Sequence, residues 1–378
     1  MRIFQVIEGS SNPAVPGNQT WHRNLYEPLI DLGHDVLLFP TDEGKKAVRR
    51  NDMGRRDKFS QRLLKIFQKE NDKKPFDLFF SYLMDGMVNP DVIDAIRSIG
   101  VPTCNFSCNN AHQFYLVEVL SPHFDYNLHS EKDAKDKFLQ IGANPLWWPM
   151  ASNPRYFKPR NISRTVDVSF VGANYAPRTR YIGDLLLNGI SVHAYGPGWY
   201  SGALSPLRSI VKRYKFLLRS LTATSAEKQY RASTLLCDHD YKRHLTACYP
   251  ENLHQPIPDD ESIALYSKSH VSLGFLEAYE HNDPSRNLVK HLHLREFEAP
   301  MCGALYCTGH SEELFEFFIP DKEVLVYQDH YELVDKVRYY LSHLEEAEKI
   351  RQAALRRAAS DHTYHRRYEK LFSDIGLK

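Results

Sequence analysis

The chain lacks most of the features that would tie it to a membrane span, a disulfide scaffold or a nucleic-acid partner. No stretch approaches the roughly 20 consecutive apolar residues needed to cross a bilayer. The apolar run at the start, Met1–Ile7, ends at once in Glu8 and Gly9, so it reads as a first β-strand rather than a leader. The expected location is therefore the cytoplasm, and the Asn-x-Ser/Thr sequons at Asn18, Asn105 and Asn161 read as accidental. Cysteine is scarce, at positions 104, 108, 237, 248, 302 and 307, and no Cys-x-x-Cys occurs. Free thiols are expected, not a disulfide framework or a zinc site. An excess of charge is also missing: 48 Lys and Arg face 47 Asp and Glu, a formal net charge of +1, and nothing global points to nucleic acid. There is no repeat of solenoid length.

What is present is a core-forming composition, 42% hydrophobic, in 378 residues, enough for two domains of ordinary size. Short apolar runs alternate with longer amphipathic stretches. Strands are expected at Ile3–Ile7, Val36–Phe39, Leu78–Ser81, Thr103–Phe106, Tyr126–His129 and Leu146–Trp148, with helices at Trp21–Leu32 and Asp57–Asn71 among those between them. Runs apolar on consecutive positions suit buried parallel strands with crossover helices. A segment with Pro149, Pro154 and Pro159 breaks the pattern and reads as a linker and hinge. A second series follows at Val166–Val171, Ser191–Tyr195, Val271–Phe275, Ala304–Cys307 and Glu323–Tyr327, and a charged helical stretch closes the chain over about 331–370. Two doubly wound domains are expected, 1–150 and 151–345, facing across a cleft, with residues 346–378 as final helices. Residues 199–260 interrupt the second series. Within them Arg208, Lys212, Arg213, Lys215 and Arg219 alternate with apolar residues, with no acid until Glu227. This is either a solvated, partly buried helix or a basic amphipathic face for peripheral contact with an anionic membrane, at its inner face, or with an acceptor.

Ligands of such sheets bind beyond the carboxyl ends of the strands, so the loops that follow strands carry the candidates. Val166–Val171 runs into Gly172 and then Ala173-Asn-Tyr175, Arg178 and a helix; a glycine and a helix start both suit a phosphate, and both suit an ordinary turn. Tyr195-Gly196-Pro-Gly-Trp199 ends the next strand and offers walls for a base or ribose, or simply a turn. Read as one helix, Arg286–Gly303 aligns His291, Arg295 and Glu298 on a polar stripe. A carboxylate there can accept both ribose hydroxyls, and Arg or Lys can neutralise a diphosphate; a surface helix with an Arg–Glu pair is the plainer alternative. In the first half, the loop after strand one contains Asn18 and leads to His22, a candidate general base; Asp85 is a second. Ser107, Asn109, Asn110 and His112 follow another strand and suit sugar hydroxyls or a loop equally. No Asp-x-Asp falls in these loops, and no metal is expected.

Arg295-Glu-Phe-Glu-Ala-Pro-Met-Cys-Gly-Ala-Leu305 resembles the "R-x-F-E-x-x-x-x-G-A-L" signature of group 1 glycosyltransferases, especially their CgeB-like (spore maturation protein) branch. Glu313-Leu-Phe with Lys322-Glu-Val-Leu-Val-Tyr327, the closing His362-Thr-Tyr-His-Arg-Arg367, the linker Pro149–Pro159 and Val168–Gly172 with Arg178 are similar to other parts of that pattern. The likeness spans roughly 120–198 and 265–370 and is absent from 199–260. It implies a GT-B fold of two Rossmann-like domains, with acceptor binding in the first, nucleotide-sugar binding in the second, a final helix returning to the first, and no obligatory metal. Taken with the residue reading, donor contacts are expected at Gly172, Tyr175, Arg178, Tyr195, Gly196, Arg286, Lys290, Arg295 and Glu298. The expected co-substrate is a UDP- or GDP-linked sugar, and the acceptor is a glycan, protein or lipid-linked hydroxyl. Many retaining relatives carry a second glutamate eight positions before the one matched by Glu298, where this chain has Lys290; stereochemistry and sugar are left open. A sugar-nucleotide epimerase on the same architecture and a non-catalytic nucleotide-sugar-binding module are the alternatives.

Overall fold

The computed structural model describes residues 1–9, 19–175, 177–200, 206–222, 225–279 and 288–377. Two compact units emerge, one of Met1–Tyr156 with Ala358–Lys378, the other of Phe157–Arg357. Each holds one six-stranded, wholly parallel sheet.

In the first unit β1 (Arg2–Ile7), β2 (Asp35–Pro40), β3 (Leu78–Ser81), β4 (Thr103–Ser107), β5 (Tyr126–His129) and β6 (Pro145–Trp147) lie in the order β2-β1-β3-β4-β5-β6. The crossover elements are α1 (Glu27–Asp31), α2 (Asp42–Arg50), α3 (Met53–Lys73), α4 (Pro90–Ser98), α5 (Asn110–Gln113) and α6 (Lys135–Gln140). Every residue of β3 and β4 is buried, as strands covered on both faces must be. Phe4 anchors one face, with its ring against Phe67, Phe76 and Phe79. Asp52 caps α3 by accepting from the Arg55 amide at 2.9 Å, which starts that helix several residues earlier than the apolar pattern suggests. The expected helix over Trp21–Leu32 divides into a π-helical turn, His22–Tyr26, and the short α1.

The second unit orders its strands β14-β13-β10-β7-β8-β9. These are β7 (Val166–Val171), β8 (Val192–Tyr195), β9 (Leu253–His254), β10 (Ser269–Leu273), β13 (Tyr306–Gly309) and β14 (Leu325–Tyr327), while β11 (Glu277–Tyr279) and β12 (Leu288–Lys290) form a separate antiparallel pair. Its helices are α7 (Arg178–Leu187), α8 (Pro206–Leu221), α9 (Ala226–Cys248), α10 (Asp259–Lys268), α11 (Arg295–Met301) and α12 (His330–Ser342). The chain leaves this unit within α13 (Leu344–Asp361) and ends in α14 (Tyr364–Asp374). The insertion at 199–260 thus contributes two helices and an edge strand, β9, too short to stand out in the sequence. All six cysteines are free.

The expectation of one helix from 286 to 303 is wrong. Residues 288–290 are a strand whose backbone pairs with Glu277–Tyr279, so helical geometry is confined to the seven residues of α11. His291 and Arg295 therefore share no helix face, and α11 is buried rather than a surface helix. Strand pairing overrides a periodicity that a short mixed run cannot fix.

Within the first unit α14 completes the core. Tyr368 is fully buried, and its hydroxyl donates to the Leu25 carbonyl at 2.8 Å. Trp148 Nε1 donates to Arg367 O at 2.9 Å, while the Arg367 guanidinium returns bonds to Pro149 O and Met150 O. The Leu25 carbonyl also accepts from Gln5 Nε2. Urea unfolding should therefore find Tyr368→Phe costing at most about 1 kcal/mol, and Tyr368→Ala about 3–5 kcal/mol through the cavity it leaves.

Candidate functional site

In each sheet the strand order reverses once, between β1 and β3 and between β7 and β10. The crevice beyond such a reversal is where open α/β sheets hold ligands. In the second unit the two strands lead into Gly172–Tyr175 and Gly274–Leu276, and the candidate site is built from these loops.

Arg178, first residue of α7, ties them together. Its guanidinium is fully buried, donating from Nη1 to Ala173 O at 3.0 Å and from Nη2 to Phe275 O at 3.0 Å and Tyr175 OH at 2.7 Å. It thus bridges the loop after β7 and the loop after β10 and lies beneath them, not on their surface. Burial and the neighbouring charge of Arg295 press its pKa down to about 10, so it stays charged at neutral pH. Tyr175 covers this guanidinium, ring centroid 3.8 Å from Cζ, and is itself 38% exposed.

Arg295, first residue of α11, reaches the same loop from the other side. Its Nε donates to Val171 O at 2.7 Å. A side chain at 172 would force its neighbours to move, because a Cβ would stand 2.7 Å from the Phe170 ring and 2.9 Å from Arg295 Nη2. Gly196 is constrained more tightly: φ is +151°, and a Cβ would fall 2.2 Å from Gly172 O. That approach is sealed by bonds from Gly172 N to Tyr195 O at 2.8 Å and from Trp199 Nε1 to Gly172 O at 2.7 Å. Tyr195 stacks on His254 with centroids 4.3 Å apart and planes 12° apart, a flat aromatic wall at the ends of β8 and β9.

Two cations therefore stand side by side, and neither guanidinium forms an ion pair with a described carboxylate. Arg178 Nε and Arg295 Nη1 are buried with no hydrogen-bond partner. Leaving such a donor unsatisfied costs about 1–3 kcal/mol, and two adjacent positive charges add repulsion. An anion at this loop would relieve both.

The expected rim carboxylate, Glu298, is buried, at 9% exposure, and close enough to Tyr266 to help push that phenol's pKa up, after the effect of burial. Lys290 is exposed at the end of β12, with Nζ donating to His310 O at 2.9 Å. Arg286 and Asn18 lie outside the described residues. The sequence reading passed over Glu296. This fully buried carboxylate accepts from Tyr306 OH at 2.8 Å and from the His293 amide at 2.5 Å, fixing the turn into α11 from below; burial raises its pKa.

In the first unit, Trp21 packs edge-on against Tyr82 and Phe106, which seats the π-turn beside the ends of β3 and β4. A π-turn bonds residue i to i+5, and here the Glu27 amide donates to His22 O. The same step brings the side chains together: His22 Nδ1 lies 3.5 Å from Glu27 Oε1. Burial lowers the His22 pKa despite the opposing pull of Glu27. Glu27 was missed because helical reading at 3.6 residues per turn does not pair positions 22 and 27. Asp85 accepts from the amides of Val119 and Leu120, both at 2.9 Å, and so anchors that turn. Beyond β4, Ser107 Oγ donates to Asn110 Oδ1 at 3.3 Å, the Asn110 amide donates to the buried Glu131 at 3.0 Å, Asn109 adopts φ +62°, and His112 lies in α5.

Among the described residues no group of three or more His, Cys, Asp or Glu side chains could hold a metal ion, and no helix is long and apolar enough to cross a membrane.

Solved structures share this architecture end to end at low identity. Anabaena HepE in complex with UDP-glucose superposes with a TM-score of 0.60 at 12% identity, covering 100% of this chain and 99% of that one. Sucrose-phosphate synthase from Thermosynechococcus elongatus gives 0.58 at 12%, over 100% and 99%. A putative UDP-N-acetylglucosamine 2-epimerase from Listeria monocytogenes gives 0.55 at 9%, over 99% and 95%. The fold is thus GT-B. No curated protein sequence matches. The sequence model of the glycosyl transferase-like family matches residues 185–373, a stretch that runs from α7 through α14 and takes in α11 with its Arg-x-Phe-Glu run, and by that match the chain belongs to the glycosyl transferase-like family.

Proposed function

We propose that this chain transfers a sugar from a nucleotide diphosphate sugar to an acceptor hydroxyl, that the donor binds the second unit, and that the protein belongs to the CgeB-like branch. The observation that carries the reading is the pair Arg178 and Arg295, two adjacent cations at the β7/β10 reversal that share the influence of one buried carboxylate, Glu296, beneath a loop kept close by Gly172 and Gly196. Arg295 neutralises the leaving diphosphate, with Lys290 and Arg286 as further cations, while Arg178 holds the loop that receives it. Fixed positive charge then does what a metal ion would otherwise do. Tyr195 and Gly196 wall the base, Tyr175 covers the loop, and Glu298 accepts the ribose hydroxyls. The UDP and UDP-glucose complexes of HepE make UDP-linked donors the first to test, with GDP-linked donors second.

The first unit supplies the acceptor side through Ser107, Asn109, Asn110 and His112. The bond from the anomeric carbon to the diphosphate oxygen breaks as the acceptor oxygen bonds to that carbon, and the acceptor proton passes to His22. Glu27 orients His22 through Nδ1, which leaves Nε2 for the proton. Asp85 positions the neighbouring turn. The glycan, protein or lipid-linked nature of the acceptor stays open.

Four outcomes are expected. Glu298→Gln should weaken UDP binding in calorimetry by roughly 10- to 150-fold, as expected for loss of a charged hydrogen bond worth about 1.5–3 kcal/mol; equal affinities would remove Glu298 from the donor site. Arg295→Gln should weaken UDP binding with a modest change in melting, whereas Arg178→Gln should lower stability by about 3 kcal/mol or more by stranding buried carbonyls. Because burial depresses the His22 pKa, the base is already neutral at pH 7. Activity should fall only as pH drops through a value below about 6.5, and His22→Gln should abolish that limb. Turnover should survive EDTA. A sugar nucleotide isomerised without any acceptor would instead identify an epimerase.

A further inference from the structure

Five of the exposed large apolar side chains among the described residues lie on α8. Ile210, Val211, Tyr214, Leu218 and Leu221 are 44%, 65%, 60%, 56% and 74% exposed. At about 100° per residue they form one continuous stripe, roughly 100° wide. Lys215 and Arg219 border it on one side, both exposed. On the other side Arg213 donates to both carboxylate oxygens of Asp240 on α9, at 3.0 and 3.1 Å, so that border faces the helix α8 packs on, while Val211 and Leu218 lie farthest round the stripe from it. Arg243 of α9 lines the same hollow as Ile210 and Tyr214 and adds a cation to that border. The side chains of Arg208 and Lys212 lie outside the described residues.

The sign of the charge identifies the occupant. No acidic residue occurs from Leu185 to Ala226, although the whole chain carries a formal net charge of only +1. A stripe that is apolar at its centre and basic along its Lys215–Arg219 border, with Arg213 on the other border paired to Asp240, matches a lipid surface: apolar side chains enter the acyl boundary while Lys and Arg extend to anionic headgroups. Five large apolar side chains left in water on one helix face are otherwise a cost with no return.

We propose that α8 is a peripheral docking helix for an anionic lipid membrane. It lies outside the loops assigned to the donor and stands whether or not that assignment holds.

The test is co-sedimentation of the full chain with vesicles of phosphatidylglycerol and phosphatidylcholine, and with phosphatidylcholine alone. Binding to the mixed vesicles is expected, weakened by salt and weak or absent on the neutral ones. Lys215→Gln with Arg219→Gln should lower the partition coefficient about thirtyfold, at about 1 kcal/mol per cation near the surface. Val211→Glu with Leu218→Glu should abolish binding; all four positions are exposed, so melting curves and UDP affinity should not move. No binding, equal binding to neutral vesicles, or unchanged binding by both double variants would overturn the proposal. So would sedimentation equilibrium showing a dimer that Val211→Glu with Leu218→Glu converts to monomer, since the stripe would then be covered by a second copy.

Discussion

A buried guanidinium ties together the two loops at the strand-order reversal of the second sheet. Arg178 spends its Nη donors on carbonyls and a phenol from two loops that the strand order sends apart. A positive charge in that position, with Glu296 near but no carboxylate of the described residues at ion-pair distance, is expensive to bury. Protein folds tolerate such a group when its hydrogen bonds are well made and when an anion is to arrive beside it. The second cation, Arg295, adds repulsion and leaves Nη1 without a hydrogen-bond partner, while the nearby phenols and the Glu296 carboxylate favour its charged form.

The other features of the site follow from where those two groups stand. Gly172 is glycine because Arg295 and Phe170 occupy the place of a Cβ, and Gly196 is glycine because the Gly172 carbonyl does. Glu296 is buried to fix the turn from which Arg295 and Glu298 emerge. The first unit uses a different device, a π-turn that pairs His22 with Glu27, and in this form a histidine near the end of a sheet acquires an orienting carboxylate.

Much of the fold was legible because buried parallel strands are written as consecutive apolar residues; Leu78–Ser81 and Tyr126–His129 could be read to the residue. The misreadings have physical causes. Leu288–Lys290 carries no strand signal of its own and is a strand only because Glu277–Tyr279 pairs with it. Leu253–His254 is too short to show a period. For the candidate site the sequence offers types of residue, glycine, arginine and glutamate after strands, but no geometry. Nothing in the sequence says that Arg178 faces carbonyls, that Glu298 is inside, or that Glu296 meets Tyr306 ten residues later.

The central claim is that a nucleotide diphosphate is held at the β7/β10 reversal of the second unit. Hydrogen exchange of the full chain with and without saturating UDP tests it most directly. The account predicts new protection concentrated at Gly172–Arg178, Tyr195–Trp199 and His291–Glu298. Unchanged exchange in all three segments, with protection appearing instead around His22 or in α8, would contradict it.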